Sequence, residues 1–236
     1  SDLTLGIDHF LDAKDLHSRE VETDDFYYNA ASDLIGREKS GGPMFVLSYL
    51  MANHFPWDLR WRPDLATDWR DLGNVSVEGH RVDEYLRRQE MSARAYKGFV
   101  ERLKRDFPNE PFLIVRFGDH QPLFAKRIID PTLDNVGIGR RIDANDPRYF
   151  TTYYAIEPLN FKPADLSSAI TGLDAAYLPL VVLEAAGVPL DATFAEQKRI
   201  FNRCEGQFFL CAKGAETRRF NRLLIDAGLI KGMVSR

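Results

Sequence analysis

Three short runs of hydrophobic residues along the chain have the composition of buried β-strands. They are residues 44–51 (MFVLSYLM), 112–117 (FLIVRF) and 150–156 (FTTYYAI), with Pro or Gly nearby in each case. Runs of this length that are rich in β-branched and aromatic residues, and are bounded by residues that interrupt regular structure, are typical of strands. We therefore predict three strands.

The segments around these runs have helical periodicity instead. The clearest helix is predicted over residues 82–107, where hydrophobic residues recur every three or four positions and the opposite face carries Arg, Lys and Glu. A second helix is predicted over residues 26–39. A third follows Ser167 and continues to Gly187, and Pro179 is expected to kink or divide it.

The order of these elements predicts the fold class. Strands that are separated by helices of about 15 or more residues usually pair in parallel. The prediction is therefore an α/β fold, with a wound, mostly parallel sheet and helices on both of its faces. Two further helices, 194–204 and 215–230, fall within residues 190–236, which we expect to be a peripheral helical extension of a single domain spanning residues 1–236.

Composition and charge narrow the classes of function. A chain of 236 residues, 44% hydrophobic and 28% charged, fits one soluble domain with a substantial core. Its net charge of -4 argues against a general nucleic-acid binder, which needs a concentrated basic face. No run of about 18 apolar residues occurs, and the first 20 residues lack a basic and then apolar pattern, so we expect neither a membrane span nor a secretory leader within this sequence. Because it begins with Ser in a segment patterned like folded protein, we expect the natural product to be longer at its N-terminus.

Side chains that bind metals follow two of the predicted strands. Asp119 and His120 come just after the second strand, and His54 comes just after the first. Ligands of open parallel sheets gather at the carboxyl ends of the strands, so we expect these three residues to lie together on one rim. The alternative is that Asp119 caps the next helix or turn and His120 is an ordinary surface residue.

The motifs at these strand ends resemble a known family. Residues 53–56 read NHFP after an apolar strand, a long amphipathic helix follows, and the next strand ends in FGDH at residues 117–120. This arrangement resembles the C-terminal half of the sulfatase-like branch of the alkaline phosphatase superfamily, above all the lipoteichoic acid synthases and the related phosphoglycerol and phosphoethanolamine transferases. Residues 5–16 and 174–190 are also similar to family segments, so the resemblance covers residues 3–190.

The resemblance implies a metal-dependent phosphoryl transfer. Asp119 and His120 would be ligands of a catalytic divalent cation, with zinc, manganese and magnesium all open. His54 would be catalytic, contacting the substrate phosphate or stabilising the leaving group, and Trp57 would shape the pocket. In that chemistry the metal lowers the pKa of a Ser or Thr nucleophile and neutralises charge on the phosphoryl oxygens.

The family's nucleophile and an acidic metal ligand lie upstream of every motif seen here. Asp119 and His120 supply two ligands, whereas a catalytic zinc site needs about three from the protein. The resemblance thus implies an incomplete, C-terminal portion of an alkaline-phosphatase-like domain, inactive by itself. Neither cysteine begins the C-x-P-S-R motif that true sulfatases need for their formylglycine nucleophile.

The loop after His54 is a second candidate for substrate binding. Arginine binds phosphate through two parallel hydrogen bonds, and tryptophan is often found at lipid interfaces. Trp57, Arg60 and Arg62 are therefore candidates for contacting an anionic headgroup or glycan. The alternative is a packed surface loop whose aspartates pair with the arginines. The alternating residues are Trp57, Arg60, Trp61, Arg62, Trp69 and Arg70.

The two cysteines, Cys204 and Cys211, admit two states. In an oxidising compartment they would close a short loop, and in the cytosol two buried thiols would serve equally well. The resemblance implies an extracytoplasmic location, periplasmic or at the cell surface, with the parent protein anchored in the inner membrane. In that compartment the pair should be bonded.

Two classes of function remain open from the sequence. The first is a metal-dependent phosphoglycerol or phosphoethanolamine transferase, or a related hydrolase, of which this chain carries part of the site. The second is a non-catalytic module that binds anionic glycan or lipid headgroups. The partners expected are a phospholipid headgroup or anionic glycan and the missing N-terminal part of the domain. A second copy of the chain could also cover an unpaired strand edge.

Overall fold

The computed structural model describes residues 9–18, 21–65 and 78–230, of which about half are helical. The described residues also form one small sheet of two strands. The elements, in chain order, are α1 (Asp24–Glu38), α2 (Gly79–Asp106), β1 (Phe112–Phe117), α3 (Ala125–Ile129), α4 (Asn135–Asp143), β2 (Tyr154–Leu159), α5 (Leu178–Ala186), α6 (Ala192–Cys204) and α7 (Ala215–Asp226).

The chain divides into two compact units. The first consists of Ser1–Pro108 and Asp119–Thr152, and the second of Asn109–Gly118 and Tyr153–Arg236. The candidate residues His54, Asp119 and His120 all belong to the first unit. In the parts that the structure describes, no helix combines the length and the apolar character needed to cross a bilayer.

The first unit is built on the pair of helices α1 and α2. Tyr28 of α1 stacks on Phe99 of α2, with ring centroids 4.7 Å apart. One turn further along α2, Arg102 donates hydrogen bonds to Asn29 at 2.8 Å and to Asp33 at 2.6 Å. The helices predicted over residues 26–39 and 82–107 are confirmed with small changes at their ends, because long amphipathic patterns are a reliable helix signal.

The second unit has its own hydrophobic core. The helices α6 and α7, expected to form a peripheral extension, supply much of it, since Ile200 is fully buried and Phe220 nearly so. Cys204 and Cys211 form a disulfide with Cα atoms 5.7 Å apart, so the bonded alternative is the one the structure contains. The buried cluster consists of Tyr177, Leu180, Ile200, Phe201, Cys204, Phe208 and Phe220.

Pro179 divides the third predicted helix, as its chemistry requires. A short 3-10 turn, Ala175–Tyr177, precedes α5, which begins at Leu178 and so places Pro179 in its first turn. Proline is tolerated there because the missing N–H would have no partner inside the helix. Gly187, in the left-handed conformation, ends the helix.

The sheet corrects the predicted strand pairing. Strand β1 has the predicted bounds, whereas β2 begins at Tyr154, later than the predicted start at residue 150. The two strands pair antiparallel, with Phe112 opposite Leu159. Parallel pairing was expected from long intervening helices, but the connection contains only α3 and α4, of 5 and 9 residues.

The predicted strand at residues 44–51 is not formed in the structure. Among the described residues, the paired strands are β1 and β2. Residues 44–51 lack regular secondary structure, and several of their large side chains are exposed: Phe45 by 84%, Leu47 by 64% and Tyr49 by 66%. An apolar run becomes a strand only when another backbone accepts its hydrogen bonds, and the described chain provides no such neighbour here.

Candidate functional site

The carboxylate and imidazole of the GDH motif lie side by side in solvent. The side chains of Asp119 and His120 are 60% and 61% exposed, and Asp119 Oδ2 is 3.7 Å from His120 Nε2. The other carboxylate oxygen, Oδ1, accepts a hydrogen bond from the His120 backbone N–H at 2.9 Å. Asp119 does not cap a helix, because α3 begins at Ala125 and its N-cap residue is Phe124.

The backbone carbonyl group of Gln121 determines which nitrogen of the His120 ring carries the proton. His120 Nδ1 lies 3.0 Å from the carbonyl oxygen of Gln121. A carbonyl oxygen only accepts, so Nδ1 is the donor and Nε2 of the neutral ring keeps its lone pair. This is the usual way in which a second contact prepares a histidine to ligate a metal through its other nitrogen.

The geometry of this pair fits two ligands of one cation. Oxygen and nitrogen ligands lie about 2.0–2.2 Å from zinc in a tetrahedral site, so two of them are about 3.3–3.6 Å apart. The 3.7 Å between Asp119 Oδ2 and His120 Nε2 is close to that separation. Within residues 9–18, 21–65 and 78–230, however, no group of three or more His, Cys, Asp or Glu side chains could hold a metal. As ligands of a cation, Asp119 and His120 would therefore be a pair and not a complete shell.

Gln121 was not singled out from the sequence, although it follows the GDH motif directly. Its side-chain amide donates to the carbonyl oxygens of Arg148 at 2.9 Å and Thr151 at 2.5 Å. These hydrogen bonds attach the loop that carries Asp119 and His120 to the turn that precedes β2. No feature of the sequence predicts this contact across 27 to 30 residues.

His54 has the same arrangement as His120. Its Nδ1 lies 2.9 Å from the carbonyl oxygen of Phe55, so Nδ1 is again the donor and the lone pair is on Nε2. The Phe55 ring lies beside the imidazole, with centroids 4.1 Å apart, and the peptide bond between Phe55 and Pro56 is cis. Both candidate histidines can therefore present the Nε2 lone pair to a metal, and a protonated ring would present Nε2–H to an anion.

Aromatic contacts join the two candidate loops. Trp57 and Phe124 are 7% and 6% exposed and meet edge to face, with ring centroids 5.1 Å apart. Tyr85 of α2 completes the cluster, 5.7 Å from Phe124 and 6.1 Å from Trp57. The loop that follows His54 therefore packs against the loop that follows His120, although residues 44–51 form no strand.

The arginines predicted to bind substrate have carboxylate neighbours. The Arg62 guanidinium donates to both oxygens of Asp64, at 3.1 Å and 2.9 Å, and holds the pKa of that carboxyl below its usual value. Arg60 is half exposed and lies 3.8 Å from Glu84. These contacts are those of the packed-loop alternative. Trp69 and Arg70 lie outside the described residues.

Four charged residues of α2 are buried, Asp83 among them, and the other three, which contact the candidate loop, were missed from the sequence. Glu84, Arg87 and Arg88 are 3%, 1% and 4% exposed, and they contact the loop that contains His54 and Trp61. Charged residues on an amphipathic helix usually face solvent, so we expected this face to be solvated. The available signal was the spacing E-x-x-R-R, which places a carboxylate within reach of arginines three and four residues later.

A buried aspartate lies beneath the same loop. Asp24, 2% exposed at the start of α1, contacts the hydroxyl of Ser92 and the backbone N–H of Ala52. Burial raises the pKa of the Asp24 carboxyl, and the two hydrogen bonds oppose that effect. Ala52 is two residues before His54, so this carboxyl helps to fix the start of the candidate loop.

Comparison with known proteins adds no assignment. No protein-family model, no curated protein and no solved structure matches this chain. The candidate site therefore has to be interpreted from its own geometry and from the motifs in the sequence.

Proposed function

We propose that this chain carries part of the metal and substrate site of a metal-dependent phosphoryl-group transferase or hydrolase of the sulfatase-like type. The observation that carries the proposal is the packing of the two candidate loops through Trp57 and Phe124. It brings the segment with His54 next to the segment with Asp119 and His120. Phosphoglycerol or phosphoethanolamine is the group that the motif resemblance favours.

Each side chain would have its own part in the chemistry. Asp119 Oδ2 and His120 Nε2 would hold a divalent cation of zinc, manganese or magnesium type, and Gln121 would keep their loop in place. A cation bound there supplies charge neutralisation and activates a hydroxyl nucleophile. His54 Nε2, when protonated, would donate a hydrogen bond to a phosphoryl oxygen or to the leaving group.

The finer fold class belongs to the same proposal. In a wound, mostly parallel sheet, residues 44–51 would be a strand paired with neighbours from the missing N-terminal part of the domain. The exposure of Phe45, Leu47 and Tyr49 supports this, because a neighbouring strand and the layer behind it would cover apolar side chains that this chain leaves in solvent. The nucleophile and the remaining acidic ligand would come from that part, in an extracytoplasmic parent anchored in the inner membrane.

A non-catalytic module that binds anionic glycan or lipid headgroups is the second candidate. One observation favours it: in the part of the chain that the structure describes, no three His, Cys, Asp or Glu side chains lie close enough together to hold a metal ion. Under this alternative, His54 and the half-exposed Arg60 would bind an anion without a resident metal.

The experiment that separates these candidates follows the histidine signals by NMR during titration with Mn²⁺. The paramagnetic ion should broaden the His120 signals first, and Asp119→Ala should remove that selectivity. His80, 65% exposed and 3.4 Å from Asp58, provides an internal control with its own carboxylate partner. Equal broadening of His120 and His80 would reject the metal site and leave the anion-binding module as the better account.

A further inference from the structure

The loop that carries His54 is held by hydrogen bonds from one buried guanidinium, that of Arg88. Arg88 Nη1 donates to the carbonyl oxygen of His54 at 2.8 Å, and Nη2 donates to those of Pro56 at 2.8 Å and Leu59 at 3.2 Å. Three carbonyl groups within six residues therefore point at a single cation. Arg88 is 4% exposed, so these hydrogen bonds are shielded from water.

A carboxylate in turn fixes this guanidinium. Glu84 Oε1 accepts from Arg88 Nε at 2.7 Å and from the Trp61 backbone N–H at 3.0 Å. The guanidinium also lies over the Trp61 ring, with Arg88 Cζ 5.6 Å from the ring centroid. Glu84 thus sets the direction of the Arg88 fork and holds the far end of the loop with the same oxygen atom.

A contribution to folding stability does not explain why Glu84 and Arg88 are buried as an ion pair. A buried ion pair commonly stabilises a fold no better than apolar side chains of similar size would. A guanidinium instead offers several donors in a fixed plane, which an ammonium group cannot reproduce. What the arrangement secures is the path of the loop, and with it the backbone of His54.

Both ends of His54 are therefore constrained. Arg88 holds its carbonyl group, and the Phe55 carbonyl holds Nδ1 of its ring. The direction of Nε2 is then set before any ligand arrives, which is the preorganisation that catalytic and binding groups need. We propose that Glu84 and Arg88 are positioning residues for His54. This inference rests on the proposed function for the role of His54 itself.

Arg87 connects the same carboxylate to the loop a second time. Arg87 Nε donates to Glu84 Oε2 at 3.1 Å, so one buried carboxylate faces two buried guanidinium groups. The pKa of the Asp64 carboxyl is lowered by the direct hydrogen bonds from Arg62 and also by the charge of Arg87. The two buried guanidinium groups therefore have two carboxylate neighbours. The class of ligand, an anion such as a phosphate group, is therefore taken from the proposed function.

The test exploits the difference between arginine and lysine. Arg88→Lys keeps the charge and removes the planar fork, whereas Arg105→Lys, on the same helix, 67% exposed and paired with Asp106 outside the loop, is the matched control. Nitrogen-15 NMR of the neutral His54 ring reports its tautomer, and titration with inorganic phosphate at a lower pH, where the ring is protonated and Nε2–H can donate, reports anion binding. We expect Nδ1–H in the wild type and a mixture of tautomers in Arg88→Lys. Apparent phosphate affinity should fall about tenfold in that variant and stay unchanged in the control.

A second variant covers the case in which Arg88→Lys does not fold. Glu84→Gln keeps an acceptor for the Trp61 N–H but weakens the hold on Arg88, and it should also mix the tautomers. If His54 keeps one tautomer and the same phosphate response in a folded variant, the positioning role is rejected. If wild-type His54 does not respond to phosphate at all, the proposed function fails instead, and the tautomer measurement decides the positioning role by itself.

Discussion

The Trp57 indole and the Phe124 ring pack edge to face at 5.1 Å, and this contact connects the two loops that carry the candidate chemistry. Trp57 also donates from Nε1 to the carbonyl oxygen of Asn53 at 3.1 Å. One buried indole therefore reaches back to the residue before His54 and across to the loop of His120. The proximity of the two loops depends on side-chain packing, and in this chain it needs no sheet.

Truncation of Phe124 should weaken this connection. Phe124→Ala removes most of the contact with Trp57 and Tyr85 and leaves a cavity, so we expect a loss of about 3 kcal/mol in the free energy of unfolding. Urea titration followed by tryptophan fluorescence measures it. Phe150→Ala, at a position 58% exposed, is the control and should cost under about 0.5 kcal/mol. Equal effects of the two changes would contradict the packing described here.

Asp24 should make stability depend on pH in an unusual direction. Burial raises the pKa of its carboxyl in the folded state, so folding favours the protonated form. That contribution is complete below the unfolded pKa and is lost as pH rises through the folded pKa. Asp24→Asn, which is always neutral, should therefore gain stability relative to the wild type as pH is raised from about 4 to 7.

Urea midpoints measured across that pH range test this prediction. Asp25→Asn is the matched control, since Asp25 is the next residue of α1 and is exposed. The stability difference between wild type and this control should not show the same rise. A pH-independent difference for Asp24→Asn would show that the Asp24 carboxyl titrates alike in the folded and unfolded chains.

The disulfide should contribute to the stability of the second unit. Cys204 lies in the buried cluster and is bonded to Cys211, seven residues later. Closing a loop of this length removes conformational freedom from the unfolded chain, worth about 2–3 kcal/mol in the entropic model. Intact-mass analysis after alkylation, with and without reductant, should show two protected thiols in the oxidised protein, and reduction should lower its melting temperature. Two freely alkylated thiols would be the contrary result.

The chain by itself should be catalytically silent. Asp119 and His120 provide two metal ligands, so a bound ion would keep most of its water, and we expect metal affinity weaker than about micromolar, or roughly -8 kcal/mol. An assay with a generic phosphodiester and zinc, manganese or magnesium should show no turnover, while calorimetry measures the affinity. Turnover that Asp119→Ala abolishes would show instead that the chain contains a complete site.

The sequence predicted the local structure better than the pairing of distant segments. The period of three to four residues identified α1 and α2, and the run FLIVRF gave the bounds of β1, because both patterns depend on nearby residues. Strand pairing depends on partners elsewhere in the chain. For that reason residues 44–51 were predicted as a strand and the sheet as mostly parallel, whereas residues 44–51 form no strand in the structure and β1 and β2 pair antiparallel.

In the candidate site, too, the local features were predicted from the sequence and the contacts between distant residues were not. Asp119, His120 and His54 could be chosen from the sequence, because it shows both their residue types and their positions directly after apolar runs. The residues that hold their loops, such as Arg88 and Gln121, act over 27 to 34 positions. A charged or amide side chain has no pattern that marks such a role, so geometry alone finds it.

The exposed run at residues 44–51 has a consequence for handling the protein. A window of this length with aromatic and β-branched residues, no charge and no proline is an aggregation hazard, because it can template the addition of strands from other molecules. Pro43 stands directly before it and acts as a gatekeeper on that side. The far end has no charged residue until Asp58, so growth of aggregates should start from the Leu47–Met51 half.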